Sequence, residues 1–195
     1  MKFIKKISLL FILFISLFST SNSEELTFGV EGGFGFADMR AEETAQTLAN
    51  LSGSTVTYTY DEATWMARFF GDYSVSESLS AEVGFLITGS LDATYTISGA
   101  SATESYDARG IDVAAVFKQD DFYLKAGMHS TELNGAATLS IGGTEYTVSD
   151  SISGSGFLVG AGIKFEGNRV GYTYYSDLGG DSNSDIGFLY YGVNF

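Results

Sequence analysis

Hydrophobic and polar residues alternate along most of the chain with a period of two. From residue 26 onward, apolar side chains recur at every second position, which is the pattern of β-strands with two different faces. Eight runs of this kind cover residues 26–37, 65–73, 79–87, 111–118, 122–129, 157–165, 169–175 and 186–195. Runs of about ten residues suit tilted strands that cross a membrane, and the even number suits a barrel.

The connections between these strands alternate in length. Those after the second, fourth and sixth strands are short, whereas the other connections are long and rich in Ser, Thr, Gly, Asp and Glu. The long connections cover about residues 39–63, 88–107, 130–155 and 177–185. Short turns at one rim and long loops at the other are typical of an outer-membrane barrel. The sequence therefore predicts an all-β fold, an eight-stranded antiparallel up-and-down transmembrane β-barrel.

Two of the long connections show local order of their own. Ala, Glu, Gln and Leu residues within 42–51 predict a short helical turn. The segments at residues 101–110 and 139–148 have the pattern of strands that continue above the membrane, and Gly142-Gly143 suits a tight hairpin turn.

The two faces of the predicted strands differ in charge. One face carries only apolar or small residues, whereas the other carries five charged residues at mid-strand positions. If the apolar face contacts lipid, these charges lie in the lumen and must pair there, because an eight-stranded barrel is just wide enough for side chains to fill it. The predicted lumen charge network consists of Glu31, Arg68, Glu82, Asp112 and Lys125.

Aromatic residues on the apolar face fall near the strand ends. Such positions match the two interfacial girdles of membrane barrels, in which amphipathic rings lie at the level of the lipid headgroups. The residues assigned to these girdles are Phe34, Phe36, Trp65, Tyr73, Phe117, Phe122, Phe157, Phe165 and Tyr174.

The first 23 residues have the pattern of a cleaved signal peptide. Lys2, Lys5 and Lys6 precede an apolar run over residues 7–18, and small residues precede Glu24. The run is shorter than the roughly 20 residues that a membrane-spanning helix needs, which disfavours a retained anchor. We therefore divide the chain into a signal peptide at residues 1–23 and a barrel at residues 24–195, exported to the outer membrane of a Gram-negative bacterium.

Charge and composition narrow the choice of partners. The chain has 24 acidic and 10 basic residues, and three of the basic residues lie in the predicted signal peptide. Nucleic acid is excluded as a partner because phosphates require a basic surface. With no Cys, the chain has no disulfides and no thiolate metal sites, and we expect no cofactor.

These patterns resemble the small outer-membrane barrels: the OmpA transmembrane domain, OmpX and the opacity-type proteins. In that family the last strand ends in Phe, and alternate apolar residues before it form a signal for the barrel-assembly machinery. Leu189, Tyr191, Val193 and Phe195 match that signal. The resemblance implies a monomer in contact with outer-membrane lipid and lipopolysaccharide, with loops that bind a host or environmental surface. Because the chain stops at the eighth strand, a peptidoglycan-binding domain is not expected.

Catalytic and metal-binding chemistry find little support in the sequence. His129, the only histidine, is followed by Ser130 and Thr131, but neighbouring residues of a strand point to opposite faces. His129 and Thr131 share a face, yet the His, Ser and Asn spacing of lipid A-modifying barrels is missing. The acidic stretch 177–185 has no EF-hand spacing and is read as a solvated turn.

The sequence favours a non-enzymatic outer-membrane barrel with a structural or adhesin-like role through acidic extracellular loops. An outer-membrane lipid-modifying enzyme would need a catalytic triad, and we predict no catalytic, cofactor-binding or metal site. A small pore is disfavoured by the filled lumen. A secreted soluble ligand-binding barrel would require the opposite face assignment, with the apolar residues inside.

Overall fold

The structure, a computed structural model, describes residues 26–37, 40–182 and 184–195. The predicted signal peptide lies outside the described residues. The strands are β1 Leu26–Phe36, β2 Thr57–Tyr60, β3 Ala63–Ser76, β4 Leu79–Thr88, β5 Leu91–Ile97, β6 Ala100–Gln119, β7 Phe122–Ile141, β8 Thr144–Phe165, β9 Asn168–Tyr175 and β10 Ile186–Asn194. Helix α1 is Ala41–Ser52, and a short 3-10 helix is Leu178–Gly180.

Eight of the strands form a closed ring. Strands β1, β3, β4, β6, β7, β8, β9 and β10 each pair antiparallel with two neighbours in the ring, and the β1–β10 pairing joins the first strand to the last. The predicted all-β antiparallel fold is confirmed, and all eight predicted strands are present. Closure matters because it leaves these strands without an unpaired edge at the level of the barrel.

Three strands are much longer than the barrel requires. Strands β6, β7 and β8 contain 20, 20 and 22 residues, and their upper halves continue beyond the ring. The short strand β5 pairs with the upper half of β6, and β2 pairs with β5. We call this projecting sheet, formed by β2, β5 and the upper parts of β6, β7 and β8, the projecting extension.

The predicted lengths of β6, β7 and β8 were too short. Residues 88–107 and 130–155, predicted as long connections, are mostly strands of β-hairpins. The pattern of about ten residues per strand failed there because Ser, Thr and small residues occupy both faces of the extension, so apolar residues no longer alternate regularly. The strand continuations proposed above the membrane were the more accurate interpretation.

The connections follow from local backbone chemistry. At one rim, turns of two residues link β6 to β7 and β8 to β9, with Asp120 and Glu166 at positive φ. At the other end of the molecule, Gly142 and Gly143 have φ values of 57° and 84°, as a primed turn requires, and they close the predicted tight hairpin. The helical turn predicted within 42–51 is present as α1. Among the described residues, no helix is both long enough and apolar enough to cross a membrane.

Polarity is reversed relative to a soluble barrel. Charged residues from several strands are buried in the lumen, whereas large apolar residues along the outside of the ring are exposed. On β6, for example, Asp112 is 1% exposed while its neighbours Ile111 and Val113 are 47% and 45% exposed. Contiguous apolar surface of this extent is unusual on soluble monomers and fits a lipid-facing belt.

Replacing Val113 by Lys tests which medium surrounds the ring. Val113 faces outward at mid-strand, and a charge at the midplane of a bilayer costs a membrane barrel about 2–4 kcal/mol. We expect a loss of this size in urea unfolding of the protein folded into lipid vesicles. The matched control is Val148→Lys in the projecting extension, where the side chain is 70% exposed and the loss should stay below about 0.5 kcal/mol. Equal small losses for both variants would place the outward face in water.

Candidate functional site

Six charged side chains meet in the lumen of the barrel. Three acids and three bases project inward from six different strands, and each is at most 3% exposed. They are Glu31 of β1, Arg68 of β3, Glu82 of β4, Asp112 of β6, Lys125 of β7 and Arg169 of β9. We call this group the lumen charge cluster. The equal number of positive and negative groups leaves it formally neutral.

Arg68 contacts all three acids of the cluster. Its Nε and Nη2 donate to the two carboxylate oxygens of Asp112 at 2.8 and 2.5 Å, a bidentate arrangement that suits the planar guanidinium. Its Nη1 lies 3.0 Å from Glu31 Oε2 and 2.8 Å from Glu82 Oε1. The strand register explains the first of these contacts, because Glu31 and Arg68 lie directly opposite each other on β1 and β3.

Arg169 provides the second guanidinium of the cluster. Its Nη1 donates to Glu82 Oε2 at 2.6 Å, its Nη2 is paired with Glu31 Oε1, and its Cζ lies 3.6 Å from the centroid of the Phe70 ring. Glu31 and Glu82 are therefore each held between two guanidinium groups.

Lys125 is held more loosely. Its Nζ lies 3.9 Å from Glu31 Oε1 and from Glu82 Oε1, beyond hydrogen-bond distance, and 4.9 Å from the centroid of the Tyr190 ring. The ammonium group therefore contributes positive charge to the cluster through electrostatic attraction and a cation–π contact.

Glycine residues provide the room for these long side chains. A Cβ atom at Gly84 would lie 2.3 Å from Arg68 Nη2, so the guanidinium passes directly over the backbone of β4. A Cβ at Gly192 would lie 3.0 Å from Glu31 Cγ and from Arg169 Cγ, the two residues that flank Gly192 on β1 and β9. The glycines interleaved on the lumen face thus permit the charges to converge.

The five residues predicted for the lumen all lie in this cluster, but Arg169 was missed. Alternation along β9 places Arg169 on the lumen face, but as the second residue of the strand, next to a turn, it gives no sign of a place in the cluster. Its place follows from the row Glu31–Gly192–Arg169, which exists only because β10 pairs with both β1 and β9. To find it, one would have to know which strands pair with each other around the ring.

A second, smaller group of charges lies nearer the short-turn rim. Asp72 of β3 is 3.2 Å from Lys118 Nζ and 3.7 Å from Lys164 Nζ. Asp72 is buried, whereas both lysine side chains keep partial contact with solvent. This group, which the sequence analysis also missed, adds a second level at which the lumen is occupied by paired charges.

His129 serves as a hydrogen-bonding anchor between two chain segments. Its Nε2 lies 2.6 Å from the carbonyl oxygen of Ser176, and its Nδ1 lies 3.3 Å from the hydroxyl of Thr131. That hydroxyl also accepts a hydrogen bond of 2.9 Å from the backbone N–H of Gly179. A backbone carbonyl therefore occupies the place where a catalytic histidine would have a carboxylate to orient it. Ser130 is on the opposite face of β7, as strand geometry predicts.

The acidic stretch after β9 is organised by its own hydrogen bonds. Asp185 accepts hydrogen bonds from the Tyr174 hydroxyl at 2.5 Å and from the backbone N–H of Asp177 at 2.9 Å. Within the part of the chain that the structure describes, no three His, Cys, Asp or Glu residues are placed to hold a metal ion together.

The aromatic residues assigned to the girdles all face away from the lumen. Seven are exposed, and Tyr73 and Tyr174 are partly buried against neighbours such as Phe157, whose ring centroid lies 6.1 Å from that of Tyr174. The four residues Leu189, Tyr191, Val193 and Phe195 also share the outward, exposed face of the last strand and its end.

Comparison with solved structures places the fold among small outer-membrane barrels. Two crystal structures of Ail, the attachment invasion locus protein of Yersinia pestis, match with TM-scores of 0.52 and 0.50, at 12% sequence identity. Each match covers 88% of this chain and 99% of Ail, and the first is a complex with the heparin analogue sucrose octasulfate. Neisserial surface protein A matches at 16% identity with a TM-score of 0.43, over 87% of this chain and 97% of that protein.

Sequence comparisons add no relative. No protein-family model matches the chain, and no curated protein matches it either. At identities this low, the structural matches describe the fold alone, and that fold agrees with the resemblance drawn from the sequence.

Replacing Arg68 by Ala tests the energetic role of the cluster. The variant leaves three buried carboxylates with two cations, and breaking one side of a buried charge pair costs about 3–5 kcal/mol. We expect a loss of this size in the free energy of unfolding, measured by urea titration in lipid vesicles. Arg109→Ala is the matched control, because Arg109 is 58% exposed and pairs with Glu132 on the surface, where such pairs contribute less than about 1 kcal/mol. A loss below about 1 kcal/mol for Arg68→Ala would place Arg68 in water.

Proposed function

We propose that the chain is a non-enzymatic outer-membrane β-barrel that presents a rigid, acidic β-sheet for surface interaction. The observation that carries this proposal is the projecting extension. Strands β6, β7 and β8 are about twice as long as a membrane crossing needs, and the excess is ordered as a sheet. A chain that served only to stabilise the membrane would have no use for so much structure beyond the barrel.

The location in the outer membrane is supported by the outward apolar belt and the closed ring. Within lipid every backbone polar group must be paired internally, and a closed barrel meets that condition. The predicted signal peptide would direct export, and Leu189, Tyr191, Val193 and Phe195 would be recognised by the barrel-assembly machinery. In this setting the barrel is a monomer surrounded by lipid and lipopolysaccharide.

The proposal that the protein is not an enzyme or a wide pore is supported by the lumen. Its charged residues pair with one another at two levels, and His129 is hydrogen-bonded to the Ser176 carbonyl oxygen and the Thr131 hydroxyl. A lumen occupied in this way serves to hold strands together. Contacts with other molecules would then be made by the extension and by α1.

The charge of the outer segments indicates the kind of partner. Residues 40–63, 89–109, 130–155 and 176–185 together contain thirteen acidic residues and two basic ones, Arg40 and Arg109. Ail was crystallised with a heparin analogue, which is a polyanion. The acidic extension of this chain favours the opposite partner, a positively charged surface such as that of a basic protein, because complementary charge steers and selects association.

Envelope fractionation of cells that express the chain tests the proposed location. We expect the protein in the outer-membrane fraction, with a mobility in SDS gels that changes when the sample is boiled, because a closed barrel resists cold SDS. Val113→Lys provides an internal comparison, since weakened insertion should reduce the heat-modifiable band. A protein recovered from the soluble periplasm with unchanged mobility would contradict the proposal and favour a soluble ligand-binding barrel.

A shortened hairpin tests the role of the extension. In this variant, residues 134–151 are replaced by Asn-Gly, which joins β7 to β8 directly above the barrel. We expect that a non-adherent Gram-negative strain expressing the full chain gains adhesion to surfaces coated with a basic protein. The shortened variant should lose that adhesion while retaining its heat-modifiable mobility.

Charge variants tested in the same adhesion assay distinguish the effect of the extension's negative charge from the effect of its shape. The variant Glu145→Gln, Asp150→Asn removes two exposed carboxylates of β8 and should weaken adhesion, with the largest effect at low salt. Glu166→Gln, in a turn at the opposite rim, is the matched control and should have no effect. Unchanged adhesion by the shortened variant would exclude the extension as the contact surface.

A further inference from the structure

A cavity of about 300 Å³ lies at the outer mouth of the barrel, between the extension and the turn after β9. Its floor is apolar and is formed mainly by Leu91, Ala108, Leu178 and Ile186, all of them members of the buried core. The same core continues inward through Leu86, which lies opposite Arg68 in the β3–β4 register. The cavity is therefore a cup, closed toward the lumen charge cluster and open toward the outside.

The walls of the cup combine hydroxyl groups with an excess of negative charge. Four carboxylates, from Glu104, Asp107, Asp181 and Asp185, line it together with a single cation, Arg40 at the start of α1. Hydroxyl groups of threonine and serine residues and of Tyr106 complete the polar lining.

Several of these polar groups are held in place by neighbours. Asp107 accepts a hydrogen bond of 2.8 Å from the side-chain amide of Asn134, which orients the carboxylate without neutralising it. Burial, and then the negative charge of Glu104, raises the pKa of Tyr106, and its hydroxyl forms a side-chain hydrogen bond with Glu104. The lining is thus a set of oriented acceptors and one neutral phenol around an apolar floor.

We propose that this cavity binds a small organic cation, a protonated amine that carries an apolar group. The apolar group would lie on the floor formed by Leu91, Ala108 and Leu178, and the ammonium group would be directed to the carboxylates of the wall. A volume of about 300 Å³ is at the lower end of the range for small-molecule sites, which limits the ligand to a compact molecule.

The chemistry of the lining excludes other ligand classes. A carboxylate or phosphate would meet four negative groups and one guanidinium, which is an unfavourable balance. A bare metal ion would gain nothing from the apolar floor, and no described residues form a metal-ligating group of three. A neutral apolar molecule of the same size would lack the attraction between an ammonium group and the net negative charge of the wall. The cavity shares residues of β5 and β6 with the extension, but the ligand titration below reports on the cavity and the adhesion assay on the exposed sheet, so either proposal can fail alone.

Three probes of nearly equal size and different charge test the proposal. Phenethylamine, 2-phenylethanol and phenylacetate are titrated by calorimetry into the protein in nanodiscs of uncharged phosphatidylcholine, with protein-free nanodiscs as the blank. We expect saturable binding of phenethylamine to one site, binding of the alcohol about tenfold weaker or more, and no binding of phenylacetate. Equal binding of the amine and the alcohol, or no saturable binding of the amine, would overturn the proposal.

Variants locate the binding to the cavity. Glu104→Gln and Asp107→Asn each remove one wall charge and should weaken phenethylamine binding severalfold, and Ala108→Leu should abolish it by filling the floor. Glu145→Gln is the matched control, because it removes one exposed charge from β8 outside the cavity and should leave binding unchanged. Each variant is first checked for heat-modifiable mobility, which reports correct folding. If Ala108→Leu fails to fold, the two charge variants still test whether the amine binds in the cavity. Equal weakening by Glu145→Gln would assign the binding to general surface charge and overturn the proposal.

Discussion

Closure of the sheet is the constraint on which the rest of the structure depends. With β1 paired to β10, the backbone groups of the eight ring strands are satisfied by neighbouring strands, and the outward face is free to be apolar. Once that face is given to lipid, the other side chains have only a narrow lumen to occupy, because eight strands enclose little more than side-chain volume. The positions of charged, small and aromatic residues follow from this one geometric condition.

The lumen charge cluster is a consequence of closure, and leaving any of its charges unpaired would cost the folded state several kcal/mol. A charge removed from water must be paired and hydrogen-bonded, and here each carboxylate of Glu31 and Glu82 is shared by two guanidinium groups. Such a cluster joins six of the eight ring strands, from β1 to β9, so it can form only when the ring has the correct register. Small residues such as Gly84 are part of this solution because they leave the space that the guanidinium groups occupy.

Periodicity predicted the barrel strands, their outward face and five members of the cluster, because all of these depend on which side of a strand a residue occupies. Arg169 was not assigned to the cluster because its contact with Glu31 depends on the pairing of β10 with both β1 and β9, which no local pattern contains. The length of β6, β7 and β8 was underestimated for a different reason: above the membrane neither face needs to be apolar, so the alternation weakens while the hydrogen-bonded ladder continues. The cavity at the mouth also had no signal in the sequence, since its lining comes from segments far apart along the chain.

The extension inherits its rigidity from the barrel beneath it. Strands β6, β7 and β8 run without interruption from the lipid-facing ring into the projecting sheet, so the register fixed by the buried cluster also fixes the positions of residues beyond the membrane. Side chains on such a sheet lose little further entropy when a partner binds, which raises affinity without additional contacts. If the extension contacts the positively charged surface proposed above, its fixed geometry would select that partner by shape as well as by complementary charge, whereas a flexible acidic loop of the same composition would distinguish charge alone.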